Sequence, residues 1–357
     1  MSKHQSDFSA RLTAVRSALK SAGVDALWVS QPENVNYLSG FSSPEDAKAL
    51  ILPDGAWLYT DGRYTLQAAQ ESAIPVFIAR SPETLQHAAP LLSGLNVGFE
   101  MQHLTVAELG ELQAHWPAEP APLSGVVEGL RLIKSEAEVQ LIEQAQAIAD
   151  AAFAEILPLI KAGAREQDLA LALESAMRRL GADGPAFETI VASGVRGALP
   201  HGRASDKVLA ESELVTIDFG ARLGGYFSDS TRTLALGEVS ESQRRMYTAV
   251  LEAEETALAA IKPGVRTADL DALAREVLGR YDLADAFVHS LGHGVGLNVH
   301  EGPGLRSTSE EVLQAGMVIT IEPGVYIEHL GGVRIEDLVL VTDEGSRVLS
   351  HSPKERF

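Results

Sequence analysis

Ile160-Lys-Ala-Gly-Ala-Arg-Glu-Gln-Asp-Leu169 returns further along the chain as Ile261-Lys-Pro-Gly-Val-Arg-Thr-Ala-Asp-Leu270. The copies share Ile-Lys, Gly, Arg and Asp-Leu at the same places, and each has a helical pattern before it and another after. Each then runs into a strand pattern, Val215-Thr-Ile-Asp-Phe-Gly220 and Ile319-Thr-Ile-Glu-Pro-Gly324. A Gly-Gly pair and a second carboxylate follow: Gly224-Gly225 before Asp229, and Gly331-Gly332 before Glu336. One helix-then-strand coincidence is ordinary, but four features in one order mark an internal duplication. The expected fold is two halves related by a pseudo-two-fold axis, with their hairpins meeting at the centre.

Each hairpin then brings one carboxylate on its first strand and one on its return strand. Asp218 and Glu322 lie within apolar strands, where a lone carboxylate costs several kcal/mol unless compensated. An ion pair could compensate one. Four at equivalent positions of a repeat repel each other unless they share a cation, and a pair of divalent metal ions resolves that repulsion. Leu291-Gly-His-Gly-Val-Gly296 adds His293, set between glycines that let backbone approach closely. An oxygen-rich site with one imidazole suits Mn or Co, with Zn or Fe as alternatives, and differs from a closed structural Zn site.

The order Asp218, Asp229, His293, Glu322, Glu336 resembles the metal-binding pentad of the pita-bread metallopeptidases, which include methionine aminopeptidase, aminopeptidase P and prolidase. The eleven-residue step from Asp218 to Asp229, the Gly-His-Gly-Val-Gly turn, the Glu-Pro-Gly and the Arg-Ile-Glu-Asp carry the likeness. It extends from Val126 to the C-terminus, and the first third resembles the creatinase-type domain of proline-specific members. Methionine aminopeptidases usually lack that domain. The resemblance implies an α/β (α+β) chain: a creatinase-like domain over residues 1–122, then a pita-bread catalytic domain over 126–357.

It also implies roles. Asp218 chelates one metal, His293 and Glu322 hold the other, and Asp229 and Glu336 bridge them. A water between two such ions loses a proton near neutral pH and attacks, while one metal polarises the scissile carbonyl. Glu322 is the candidate to shuttle the proton to the departing proline nitrogen. His201, in Leu199-Pro-His-Gly-Arg203, and His300, in Asn298-Val-His-Glu301, match family positions for transition-state and substrate contacts. Arg334 is placed with the substrate-binding residues, with clamping the carboxylates as its expected work; a surface strand arginine is the plain alternative. Tyr226 is either support behind the ligands or core, and Phe187 resembles a wall of the proline pocket.

Away from the duplication, Phe8 to Ala22 reads as an amphipathic helix and Asp25 to Ser30 as a buried strand. Ala49 to Leu52 and Ala56 to Thr60 flank Pro53-Asp54-Gly55 as a hairpin, and Val76 to Ala79 and Asn96 to Phe99 are short strands. Pro117, Pro120 and Pro122 read as a stiff linker. A net charge of −20 opposes nucleic acid and anionic membrane as partners. The absence of cysteine excludes disulfides, thiolate metal sites and thiol nucleophiles. The first residues lack a signal-peptide pattern, so the expected location is the cytoplasm, and the resemblance implies a homodimer.

Substrate length stays open at this point. Prolidases cleave dipeptides and aminopeptidases P cleave longer peptides, both small proline-containing substrates. Prolidases often carry an arginine four residues past the histidine matching His300, but that position here is Gly304. Arg63, Lys48, Arg203 or Arg306 is left to meet a substrate carboxylate. Creatinase needs no metal and is disfavoured by an intact pentad. A non-catalytic binding module of the same fold typically loses metal ligands, and all five are present.

Overall fold

Beginning with the helix Lys3–Ser21 (α1), a computed structural model describes residues 3–117 and 119–355. They form two compact units that divide between Arg131 and Leu132. The first unit carries the strands Ala26–Val29 (β1), Ala47–Leu52 (β2), Gly55–Thr60 (β3), Val76–Ile78 (β4), Val97–Glu100 (β5) and Ala121–Leu123 (β6). They make one mixed sheet in the order β4-β3-β2-β1-β5-β6, with β2 and β3 joined as the expected hairpin. Trp28, Leu50, Tyr59, Leu85, Phe99 and Trp116 are among the buried residues of its core.

The proline-rich stretch departs from the linker reading. Ala121–Leu123 pairs parallel to β5 as an edge strand, where the missing N–H of Pro122 leaves no inner ladder bond unmade. The following helix, Val126–Arg131, belongs by packing to the first unit, beyond the expected break at 122–126. Arg131 donates to Asn34 (2.8 Å), and Asn34 donates to Glu100 (2.7 Å) and Glu128 (2.8 Å). Glu100 also accepts from the Ser30 and Gln31 amides at 2.7 Å, and its burial keeps its carboxyl above the usual range.

In the second unit the duplication is visible bond by bond. Helices Glu136–Ile156 and Glu166–Arg179 form one pair, and Glu241–Ala260 and Thr267–Arg280 the other. The first helix of each pair starts with a capping box, Ser135 with Glu138 and Ser240 with Gln243. Gly163 and Gly264 turn the chain between helices at φ 91° and 88°, a left-handed conformation that favours glycine. Gly163 N donates to Leu209 O and Gly264 N to Leu313 O, both at 2.9 Å. Arg165 then pairs with Asp168 and Arg266 with Asp269. Each half has its own core: Phe153, Leu173, Ile217 and Phe219 in one, Val250, Leu270, Ile319 and Ile335 in the other.

The hairpins carry the carboxylates. Strands Glu213–Phe219 and Ser230–Leu236 pair antiparallel, as do Val318–Ile321 and Asp337–Val341. The halves join where Glu336 N donates to Thr231 O (3.1 Å). Behind that joint Arg232 donates to the carbonyls of Thr231, Glu336 and Ser352 and to Asp337. Lys354 closes the cluster on Glu254 (2.5 Å) and Asp337 (2.7 Å), pinning the C-terminal segment. No helix among the described residues is long and apolar enough to cross a membrane.

Removing Lys354 leaves Glu254 and Asp337, 0% and 3% exposed, facing each other with one cation fewer. Lys354→Ala is expected to cost about 3 kcal/mol in urea denaturation. Lys161→Ala, at an exposed position, is expected to stay within about 0.5 kcal/mol of the parent.

Candidate metal centre

Strand alternation decides what the hairpins present. Val215, Ile217 and Phe219 enter one core, so Thr216 and Asp218 take the opposite face. Ile319 and Ile321 are core, which leaves Thr320 and then Glu322 on the other side; Val333 and Ile335 likewise leave Arg334 and Glu336. These faces converge on a cavity of about 550 Å³. Asp218, Asp229, His293, Glu322 and Glu336 all line it, with Phe187, His201, His300 and Arg334. The five ligand candidates and these four neighbours therefore share one cavity.

His293 sits on the short strand Gly292–Gly294, paired with Glu301–Leu305 on one side and Val318–Ile321 on the other. A Cβ on Gly292 would run into the Thr320 carbonyl, and one on Gly294 into the Gly302 carbonyl. Glycine on both sides of the histidine is thus a packing requirement. Asp229, His293 and Glu336 each offer a ligand atom, and the three atoms lie within 4.8 Å of one another. His293 Nε2 is also 3.3 Å from Glu322 Oε1 and 3.6 Å from Asp229 Oδ2.

The electrostatics ask for a cation. Burial raises the Asp229 carboxyl well above its ordinary range, and the charges of Glu336, Asp218 and Glu322 add to the effect. Glu336 is raised likewise by burial, then by Glu322 and Asp218. Burial pushes Glu322 up to about 8. Burial and the neighbouring His300 lower His293 to about 4, so its ring is neutral at pH 7. Its Nδ1 lies 3.1 Å from the Gly294 carbonyl; with the proton there, the Nε2 lone pair faces two carboxylates. Asp218 Oδ1 is buried without a hydrogen-bond partner. Crowded acceptors, a neutral imidazole and an orphaned oxygen fit divalent metal ions.

Arg334 faces the carboxylates rather than open space. Only 5% exposed, it donates to Asp218 Oδ2 (2.6 Å), Thr231 Oγ1, Pro200 O and Tyr326 Oη. With its donors so engaged, the arrangement suits clamping and leaves little for a substrate. Tyr226 is buried and donates to Glu138 (2.7 Å), and it does not line the cavity. Of the four cations considered for a substrate carboxylate, only Arg203 lines it among the described residues. Lys48 pairs with Glu108, and Arg63 with Asp46 and Asp61, all in the first unit.

Four contributors escaped the sequence reading. Thr231 Oγ1 donates to Glu336 Oε2 (2.7 Å), and Thr320 Oγ1 accepts from the His293 amide (3.1 Å). Their signal was a two-residue offset from Asp229 and Glu322, which puts them on the same strand face. His289 lines the cavity, and its Nε2 lies 2.9 Å from Tyr326 Oη, which in turn accepts from Arg334. Burial lowers His289 to about 4.

These shifts set the pH dependence of the metal-free protein. The raised carboxyls hold protons more tightly folded than unfolded, so their stabilisation is lost as pH rises through about 8. The lowered histidines act oppositely, but only below about 6.5. The metal-free Tm is therefore expected to fall between about pH 6.5 and 8.5, with Mn²⁺ raising Tm more at the upper end. Glu254, also near 8, contributes at both metal levels, so the metal-dependent difference is the quantity to follow. An equal Mn²⁺ effect at both pH values would contradict this account.

The model of metallopeptidase family M24 matches residues 140–343, and that of the creatinase/prolidase N-terminal domain matches residues 11–133. An Xaa-Pro dipeptidase of Pyrococcus furiosus is 40% identical over 97% of this chain and 99% of its own. The solved structure of an Xaa-Pro dipeptidase from Bacillus anthracis superposes with a TM-score of 0.94 at 40% identity, covering 98% of this chain and 99% of that one. An X-Pro aminopeptidase from Thermotoga maritima superposes at 0.88 with 35% identity, over 96% and 99%. The convergence of duplicated hairpins, buried carboxylates and family match has one conclusion: the chain belongs to metallopeptidase family M24.

Proposed function

We propose that this chain is an Xaa-Pro dipeptidase, hydrolysing the bond before proline in small peptides. The observation that carries the reading is the single cavity into which both duplicated hairpins aim their carboxylates beside His293, His201 and His300. Near-full-length similarity to Xaa-Pro dipeptidases supports the substrate class. Asp218 on one side, and His293 with Glu322 on the other, would each hold one ion, with Asp229 and Glu336 shared. Mn or Co suits this donor set best, with Zn next. Bound there, two divalent ions would bring a water's pKa near neutrality and polarise the scissile carbonyl.

The chain's own groups do the remaining work. Glu322 Oε1, on the cavity wall beside His293 Nε2 (3.3 Å), is placed to take up a proton and release it to the proline nitrogen. His201 and His300 are exposed at the cavity wall and can donate to the developing oxyanion or to the leaving segment. Half-buried Phe187 offers an apolar wall to the pyrrolidine ring. The second reading is an Xaa-Pro aminopeptidase for longer peptides, favoured by Gly304 where an arginine would mark dipeptide selectivity.

Metal content after reconstitution is expected to approach two ions per chain by elemental analysis, and trace levels under Mn²⁺ saturation would sink the proposal. Asp229→Asn and Glu336→Gln should each lower kcat at least about a thousandfold, because each removes a shared ligand oxygen. Both should retain less metal with circular dichroism unchanged, whereas full activity would show the ligand assignment wrong. The working form is proposed to be a cytoplasmic homodimer. Light scattering at micromolar concentration should return twice the chain mass of 38.1 kDa.

A further inference from the structure

We infer that Arg203 reads the free carboxylate of the substrate, and that Glu188 occupies its guanidinium until substrate arrives. This rests on the dipeptidase reading above. Two arginines line the cavity, and they differ completely in availability. Arg334 is engaged by Asp218, Thr231, Pro200 and Tyr326. The Arg203 side chain is 76% exposed, and its Nε is 3.0 Å from Glu188 Oε2, itself 60% exposed. It is the one exposed arginine or lysine among the described residues lining a cavity otherwise crowded with carboxylates, which repel an anionic chain end.

The backbone of Arg203 is fixed while its head is not. It bridges antiparallel to Ile190, and its carbonyl accepts from Arg196 Nη2 (2.7 Å). Glu188 follows Phe187 directly, so the Glu188–Arg203 pair stands beside the proposed wall for the proline ring. In proline the ring and the carboxylate share the α-carbon. A ring against Phe187 therefore puts its carboxylate within reach of this corner. An exposed ion pair is weak, so exchanging the Glu188 carboxylate for the substrate's costs little. The exchange keeps a charge-assisted bond throughout, whereas a neutral chain end gains nothing from it.

The test compares an Xaa-Pro dipeptide with its C-terminal amide, in the metal-loaded enzyme. The parent should prefer the acid, and Arg203→Gln should lower that acid-to-amide ratio in kcat/KM roughly ten- to hundredfold. Arg203→Lys should recover part of the ratio, because charge is kept without the planar fork. Glu188→Gln should lower KM for the acid by removing the competitor. An Arg203→Gln enzyme that loses acid and amide turnover equally would overturn the clamp, as would an unchanged ratio. An unchanged KM in Glu188→Gln would overturn the placeholder role. A parent that cleaves acid and amide alike would overturn the clamp but leave the proline reading standing. A parent that cleaves other peptides but neither of these would overturn the proline reading itself.

Discussion

Four carboxylates gathered around one cavity, two of them buried, are the condition to which the rest of the catalytic unit is fitted. Each is costly alone, and the neighbouring charges add to burial in raising the Asp229 and Glu336 carboxyls. The protein meets part of that cost itself. Arg334 is sunk among them, Thr231 donates to Glu336, and the Arg232 cluster holds the backbone of the Glu336 strand from behind. What it leaves unmet is specific: Asp218 Oδ1 has no partner, and the His293 lone pair faces acceptors. A fold that ties down Asp218 and Glu336 by hydrogen bonds yet leaves these atoms open is suited to receive cations.

Duplication is an economical way to bring those groups together. A single hairpin can present one carboxylate from each strand toward a common face. Two hairpins back to back present four, and the Glu336–Thr231 bond joins them at the point where the charges meet. Because each half keeps its own core, the centre needs little apolar packing and is free to be polar. The equivalent Gly163 and Gly264 turns and the Arg165 and Arg266 pairs hold the two helix pairs at matching positions.

The repeat was legible because it combined several signals at fixed offsets, and the five ligand candidates followed from it together with a family likeness. Strand parity then carried Asp218, Glu322 and Glu336 to the cavity. The helper residues were harder to see. Thr231 and Thr320 look like ordinary strand threonines until the partner strand is known, and His289 looks like any loop histidine until Tyr326 is found beside it. The Pro117–Pro122 stretch misled for a related reason. Proline content argues against a central strand, but it says nothing against an edge strand, where the neighbouring sheet supplies the pairing. What sequence missed was in each case decided by a partner remote along the chain.

The contrast between Arg334 and Arg203 separates chemistry from recognition within one cavity. Both guanidinium groups line the same cavity, yet Arg334 is buried on Asp218 and Arg203 is largely exposed beside Glu188. A buried arginine with its donors engaged is preorganised. It holds a geometry and cannot change partner without leaving charge unpaired. An exposed one in a weak pair can change partner readily, which is what reading a substrate requires. On this view Gly304 removes one way of meeting a substrate carboxylate without abolishing the requirement. The remaining solution has to lie where a cation is both within the cavity and free to exchange, and among the described lining residues only the Arg203 corner satisfies both conditions.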